Sequence, residues 1–190
     1  MPRPPILPVP DRAAIFNNAR SWDDWINNPD DESQAERIRA NYEAIELDDK
    51  TLSALAKLDE PVRIIAIAET WCGDVIKQVP LLLRMVEATN GKAELKFIWR
   101  EDHPDFFARF LTNGGEAVPK FVFCNEAFTE VGNYGPMPST PRKFISMGKS
   151  IGDVGSARRK VAEFYENDGY DESIKELLEL FELAALSELP

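Results

Sequence analysis

The sequence is poor in residues that cross-link a chain, bind metals or span membranes. Two cysteines and one histidine occur in 190 residues, too few for the disulfide framework of a small secreted protein or for a His/Cys metal site. No stretch approaches the ~20 apolar residues of a membrane-spanning helix. Prolines interrupt the first ten residues, which lack the apolar run of a signal peptide. We therefore expect a cytoplasmic protein without a metal ion and without membrane association.

Positive charge is also scarce. The chain has 22 Lys and Arg residues against 33 Asp and Glu residues, a formal net charge of −11. Non-specific nucleic-acid binding needs cations that displace phosphate counterions, so this composition argues against a nucleic-acid partner. The basic cluster of Arg158, Arg159 and Lys160 is interpreted as a solvated helix face, with partner docking as the alternative. Hydrophobic residues make up 44%, enough for the core of one soluble domain.

The sequence predicts an N-terminal arm followed by helices over residues 1–60. Prolines keep residues 1–12 extended. Ser21 is suited to cap a helix that places Trp22 and Trp25 on a packing face. Two more helices are predicted, over residues 32–45 and after Asp49, the latter presenting Leu52, Leu55 and Leu58. This extension is expected to pack on the following segment, because about 40 helical residues rarely form a separate domain.

Residues 61–136 predict an α/β core. Residues 62–68 form a β-branched run typical of a strand buried on both faces. An apolar helical stripe follows, at Val75, Val79, Leu82, Leu83 and Val86. Further strands are predicted at residues 94–99, 121–124 and 126–134, with a helix at 104–111. The crossovers indicate parallel pairing and the final hairpin indicates antiparallel pairing, so the sheet is mixed.

Residues 137–190 complete the domain as a C-terminal extension. Residues 136–155 are rich in Pro, Gly and Ser and are interpreted as a loop with at most a helical turn. Residues 157–166 and 171–186 are then predicted to form one interrupted amphipathic helix or two consecutive ones. No internal repeat occurs.

The segment Trp71-Cys72-Gly73-Asp74-Val75 marks the candidate site. It joins the first strand to the following helix, so the Cys72 sulfur lies at a helix N-terminus, where free amides favour a thiolate. Pro80 lies eight residues after Cys72 and should kink that helix. Residues 114–119 end in Val118-Pro119, directly before a strand, and are a plausible place for a cis peptide bond.

These features together resemble the thioredoxin family. That family opens its first core helix with Trp-Cys-x-x-Cys, kinks the helix with a proline eight positions after the first Cys, and places a cis-proline before the next antiparallel strand. Trp71, Cys72, Pro80, Val118 and Pro119 match these positions, over residues 61 to about 136. The Trp-Cys-Gly-Asp variant is similar to a bacterial branch with helical extensions at both ends. The resemblance implies a thioredoxin-like fold, and a partner chain held by Trp71, Gly73, Asp74, Val75, Val118 and Pro119.

Two departures from the family pattern bear on the chemistry. Val75 occupies the position of the second, resolving cysteine, and Ala66 occupies that of a buried acid serving it. Release of a mixed disulfide would then need an outside thiol such as glutathione. Cys124 is a poor substitute, because five strand residues separate it from Pro119 by about 16 Å. It is expected to be a core residue.

Three hypotheses about function remain open from the sequence. Cys72 is a catalytic thiol of lowered pKa that exchanges with disulfides or glutathionylated thiols, without any bound cofactor. Alternatively, it is a relic in a redox-inactive module that binds a peptide or protein. A third reading is a sensor in which Cys72 bridges two copies of the chain. His103 as a base for Cys72 has no support from its position.

Overall fold

A four-stranded sheet forms the centre of the structure, a computed structural model that describes residues 7–186. The strand order is β2-β1-β3-β4. The strands are β1 (Val62–Ile67), β2 (Ala93–Ile98), β3 (Lys120–Cys124) and β4 (Glu130–Tyr134). β1 pairs in parallel with β2, and β3 runs antiparallel to both β1 and β4. The α/β fold with a mixed β-sheet that the sequence predicts is confirmed.

The prediction that crossover connections give parallel pairing is wrong for β1 and β3, because β3 runs antiparallel to β1. The reason is the connection from β2 to β3, which carries only a short helix and a single 3₁₀ turn. Such a connection stays at the sheet edge where β2 ends instead of returning along the sheet. The antiparallel strand after Pro119 is the one that the family resemblance implies.

Nine α-helices surround this sheet within the described residues. They are α1 (Arg12–Asn18), α2 (Trp22–Ile26), α3 (Glu32–Ala44), α4 (Asp49–Leu55), α5 (Gly73–Ala88), α6 (Pro104–Phe107), α7 (Ser139–Ile151), α8 (Val154–Asp168) and α9 (Asp171–Ala184). A 3₁₀ turn, Ala108–Phe110, extends α6. None of these helices is long and apolar enough to cross a membrane.

The N-terminal helices begin close to the predicted positions. The Ser21 hydroxyl accepts a hydrogen bond from the Asp24 amide at the start of α2, and Asp48 caps α4 in the same way through Thr51. α1 was not predicted. The predicted extended arm lies partly outside the described residues, and the described part, from residue 7 to Asp11, is neither helix nor strand.

Trp25 anchors the N-terminal extension in the core. Its side chain is fully buried, its ring stacks on Phe97 of β2 with centroids 4.8 Å apart, and its Nε1 donates to the Ala68 carbonyl at 3.0 Å. Arg20 forms a backbone bridge with the same Phe97. The expected packing role of Trp22 and Trp25 is confirmed, and the extension closes the open edge of β2.

α3 packs along α5 and compensates for Pro80. Proline has no N–H, so the carbonyl of Ile76, four residues earlier, loses its helical partner. The Asn41 Nδ2 donates to this Ile76 carbonyl at 2.8 Å. The N-terminal extension therefore supplies the hydrogen bond that α5 cannot make for itself.

The prediction of a loop over residues 136–155 is wrong, because α7 is a helix of 13 residues. Pro138 precedes the helix and Pro141 lies in its first turn, where a missing N–H costs nothing. Gly148 lies where a β-carbon would come within 2.5 Å of the Ala157 side chain in α8. Gly152 ends the helix in the left-handed conformation, with φ of 75°. These prolines and glycines shape the helix ends and its packing instead of breaking the helix.

Candidate functional site

The topology brings three chain segments to one edge of the sheet. Cys72 follows the end of β1, the segment of residues 99–119 follows the end of the parallel strand β2, and Pro119 directly precedes antiparallel β3. A residue after β1 and a residue before β3 are neighbours at that edge because the two strands run in opposite directions. The sequence-predicted residues Cys72 and Val118 are therefore brought into contact.

Cys72 occupies the N-cap position of the 16-residue helix α5. Its thiol is partly exposed and donates a hydrogen bond to the Val118 carbonyl, with Sγ and O 3.2 Å apart. Trp71 and Gly73 on either side are exposed, and 48% of the Trp71 surface is accessible. Cys72 is thus partly open to solvent beside the exposed Trp71, while Val118 on its other side is buried.

The Val118–Pro119 peptide bond is cis. Gly135 lies against this segment so closely that a β-carbon there would come within 2.1 Å of the Pro119 carbonyl oxygen. The buried Lys120 Nζ donates to the Gly135 carbonyl at 2.7 Å. Burial and the nearby Arg142 lower the pKa of Lys120 to about 8. Gly135, directly after β4, therefore contacts the chain at both Pro119 and Lys120.

The prediction of a lowered Cys72 pKa is wrong, because the pKa of this thiol is raised. Burial is the main cause, and the carboxylates of Asp74 and Glu69 add to it. The backbone N–H groups of Val75 and Asp74 oppose the shift, as expected at a helix start. Desolvation of the charged form outweighs the helix end here, which a sequence does not reveal.

Asp74 is itself perturbed. Burial raises its pKa to about 6, while Lys77 and Arg158 act in the opposite direction. Its carboxyl group therefore carries most of its charge at neutral pH and loses it in mildly acidic solution. The charge on Asp74 opposes a thiolate on Cys72 above that point.

Glu69 is a site residue that the sequence reasoning missed. Its carboxylate is 7% exposed, accepts a hydrogen bond from the Arg100 amide at 2.9 Å, and has a pKa raised by burial. The Arg100 guanidinium also lies over the Trp71 ring, 5.4 Å from its centroid. The only sequence signal was an acidic residue three positions before Cys72.

No second thiol lies at the site. Val75, at the resolving position, is fully buried, and so is Ala66. Cys124 is free, fully buried at the opposite end of β3, and has a pKa raised by burial to about 11. Its assignment to the core is confirmed. Within residues 7–186, Cys72 hydrogen-bonds Val118 and not His103, which begins α6.

A cleft of about 1010 Å³ adjoins the site. Gly73 and Asp74 contribute its border with α5, and residues 112–117, α7 and α8 form the rest of its walls. Arg158, Arg159 and Lys160 are exposed as predicted, and Arg158 also lines this cleft. In the described part of the chain, no group of three or more His, Cys, Asp and Glu side chains is arranged to hold a metal ion.

A family model described as thioredoxin matches residues 20–151. This match covers more than half of the chain. The chain belongs to the thioredoxin family. The match begins before α2 and reaches the end of α7, so it extends beyond residues 61–136, where the sequence motifs lie.

Two solved structures share the fold. A protein of unknown function from Pseudomonas aeruginosa superposes with a TM-score of 0.70 and 15% identity, covering 92% of this chain and 98% of that one. An HIV epitope scaffold gives a TM-score of 0.68 and 15% identity, covering 90% of this chain and 96% of that one. No curated protein matches significantly. At this identity the likeness concerns the fold alone.

Proposed function

We propose that this thioredoxin-family protein carries out thiol–disulfide exchange through a single sulfur, that of Cys72. The observation that carries the proposal is the accessible thiol at the start of α5, facing Val118, with a buried valine in the resolving position. The Cys72 thiolate attacks a disulfide, forming one sulfur–sulfur bond and releasing the partner's other half as a thiolate. No bound cofactor takes part in this step.

The second half of the reaction needs an external thiol. Without a neighbouring cysteine, the mixed disulfide persists until a thiol such as glutathione attacks it. A cytoplasmic setting, which supplies such thiols, fits this scheme and is part of the proposal. Attack on the Cys72 sulfur releases the partner as a thiol and leaves the external thiol bonded to Cys72. A second external thiol then attacks its own kind, forms their disulfide and returns Cys72 to its reduced form.

The raised pKa of Cys72 has two kinetic consequences. Capture is slow at neutral pH because little thiolate is present. Return of Cys72 to the free thiol is slow as well, because an attacking thiol preferentially expels the sulfur of lower pKa, which is the partner's, and itself stays bonded to Cys72. The site is therefore suited to slow exchange rather than to rapid turnover.

Partner contacts would come from both sides of the sulfur. Trp71, Gly73 and Asp74 line the accessible side, whereas Val75, Val118 and Pro119 are buried. Val118 can therefore act through its backbone. Its carbonyl accepts the Cys72 thiol proton at present, and forming the mixed disulfide removes that proton and frees the carbonyl for a partner N–H.

The second candidate is a module that binds a peptide or protein without redox exchange. The raised pKa of Cys72 and the loss of the resolving cysteine favour it. Partner binding unchanged by Cys72→Ala would support this alternative.

The test is adduct formation with 2-hydroxyethyl disulfide, a small neutral reagent, at pH 7 and pH 9, followed by intact mass. We expect one adduct that forms faster at pH 9, disappears in Cys72→Ser and remains in Cys124→Ser. No adduct at pH 9 within hours would overturn the exchange function. A covalent dimer on a non-reducing gel, absent in Cys72→Ser, would instead indicate the bridging role.

A further inference from the structure

The cleft beside Cys72 concentrates positive charge in an acidic protein. Four cations line it, three from α7 and one from α8: Arg142, Lys143, Lys149 and Arg158. The chain as a whole carries a formal net charge of −11. Positive charges repel one another, so the grouping of four of them in one concave site is not expected for an acidic protein.

Only two carboxylates, those of Glu116 and Asp74, share the lining. Glu116 lies 3.6 Å from the Arg100 guanidinium, outside the cleft. The charges of Lys77 and Arg158 attract the Asp74 carboxylate and act to lower its pKa. Arg142 makes a loose pair with Glu176 at 3.8 Å. Within the described chain, Lys143, Lys149 and Arg158 have no ion-pair partner within 4.0 Å.

The cleft is also partly apolar. On α7, Ile145 lies between the cationic positions 142 and 149 on one helical face, and on α8 Val154 and Val161 flank Arg158. The volume of about 1010 Å³ lies at the upper end of the range of small-molecule sites, roughly 300–1,000 Å³. Apolar walls with cations suit an organic anion better than an inorganic ion.

We infer that this cleft binds the anionic part of a small disulfide whose sulfur reaches Cys72. This inference rests on the proposed function and names its substrate class. Gly73 and Asp74 belong to the cleft and directly follow Cys72, so an anion in the cleft brings an attached disulfide close to the residue that carries the thiol. The Cys72 thiolate forms a bond to the nearer sulfur, the original sulfur–sulfur bond breaks, and the distal half leaves as a thiolate. The disulfide is the oxidant.

The test compares three small disulfides of different charge. They are dianionic 3,3′-dithiodipropionate, neutral 2-hydroxyethyl disulfide and dicationic cystamine, each followed by adduct mass in Cys124→Ser. The reactivity of the Cys72 thiol affects both rates equally, so the ratio of the rate with the dianion to the rate with the neutral reagent does not depend on it. We expect a ratio of about ten in low salt, and a lower rate for cystamine than for the neutral reagent, because opposite charges attract. Salt at 0.5 M should reduce both differences.

Two double variants locate the effect. Lys149→Gln with Arg158→Gln removes two cations from the cleft, and Lys50→Gln with Lys57→Gln removes two exposed cations from another surface depression around α4. The dianion ratio should fall to about one or two in the cleft variant and stay near the wild-type value in the control. An equal fall in both, or fastest reaction with cystamine, would overturn the inference.

Binding without chemistry separates this inference from the proposed function. Calorimetric titration of Cys72→Ser with 3,3′-dithiodipropionate should show saturable binding that the cleft variant loses. Binding without adducts on Cys72 would support anion binding in the cleft and contradict thiol–disulfide exchange. Adducts without a charge preference would support exchange and contradict anion binding in the cleft. Glutathione disulfide and coenzyme A disulfide then distinguish carboxylate from phosphate as the preferred anion. Absence of both binding and charge preference ends the cleft inference.

Discussion

The helices before the sheet and the helices α7 and α8 after it are joined to the core in different ways. The N-terminal helices insert the fully buried Trp25, bridge β2 through Arg20 and satisfy the carbonyl of Ile76 in α5. α7 and α8 pack mainly on each other and leave an open cleft beside Asp74. One extension completes the core, and the other frames a cavity next to Asp74 and the N-terminus of α5.

This difference separates stability from reactivity. Changes in the N-terminal layer should lower the free energy of unfolding while leaving Cys72 chemistry intact in the folded protein. Changes near Asp74 should alter the reactivity of Cys72 with little loss of stability. The predictions below test this separation, beginning with the largest expected effect.

Replacing Trp25 with alanine should cost about 3–5 kcal/mol in the free energy of unfolding, because it leaves a large cavity. The Ala68 carbonyl also loses its hydrogen-bond donor. Urea unfolding measures the loss, with the half-exposed Trp71→Ala as the control, expected to lose less than about 1 kcal/mol. Equal losses for the two tryptophans would contradict the anchoring role of Trp25.

Tyr134→Phe should cost about 2 kcal/mol, because it leaves a buried amide oxygen without a partner. The Tyr134 hydroxyl donates to Gln78 Oε1 at 2.7 Å and hydrogen-bonds the Ser173 hydroxyl at 3.0 Å, while Gln78 Nε2 donates to Tyr165 of α8 at 2.9 Å. This buried network joins α5 to α8 and α9. Chemical denaturation measures the loss, with Tyr42→Phe, whose hydroxyl lies at the surface, as the control. An unchanged free energy of unfolding in Tyr134→Phe would show that the network does not stabilise the protein.

Asn41→Ala should cost about 1 kcal/mol, because the Ile76 carbonyl is only partly buried and water replaces part of the lost bond. The exposed Asn17→Ala in α1 is the matched control and should be nearly neutral. Thermal unfolding of both variants decides the point. A stability of Asn41→Ala equal to the control would show that α5 tolerates Pro80 without help from α3.

Asp74→Asn should speed alkylation of Cys72 at pH 7 by roughly threefold, because a charge that disfavours the thiolate is removed. Stability should rise by about 1 kcal/mol at pH 8. The folded pKa of Asp74, about 6, exceeds its ordinary value of 3.8, so the folded state favours the neutral acid. The gain in the variant is therefore present above pH 6 and lost as the pH falls toward 4.

Asp49→Asn, in the exposed first turn of α4, is the control for this variant. It should leave the alkylation rate of Cys72 unchanged within experimental error. Alkylation of Cys72 no faster in Asp74→Asn than in this control would show that the Asp74 charge does not act on the thiol.

The sequence predicted those parts of the site that depend on local order along the chain. A cysteine after a buried strand, a proline eight residues later and Val118-Pro119 before β3 identified the contact between Cys72 and Val118. The same local reasoning failed for α7, where prolines and glycines are compatible with a helix because of their positions in it. Composition alone does not give those positions.

The electrostatics of the site could not be predicted from the sequence. The raised pKa of Cys72 depends on burial by distant segments and on Glu69 and Asp74 together. The cationic cleft depends on how α7 and α8 pack, which brings Lys149 and Arg158 to one cavity although they lie on different helices. Both properties arise from tertiary packing.

The most direct test of the account is the rate of Cys72 alkylation by iodoacetamide from pH 6 to pH 11 in Cys124→Ser. The account predicts a midpoint above that of an unperturbed cysteine, about 8.5, together with an adduct with 2-hydroxyethyl disulfide that persists until an external thiol is added. A midpoint near pH 6, with rapid turnover at neutral pH, would contradict the slow, single-sulfur site described for Cys72.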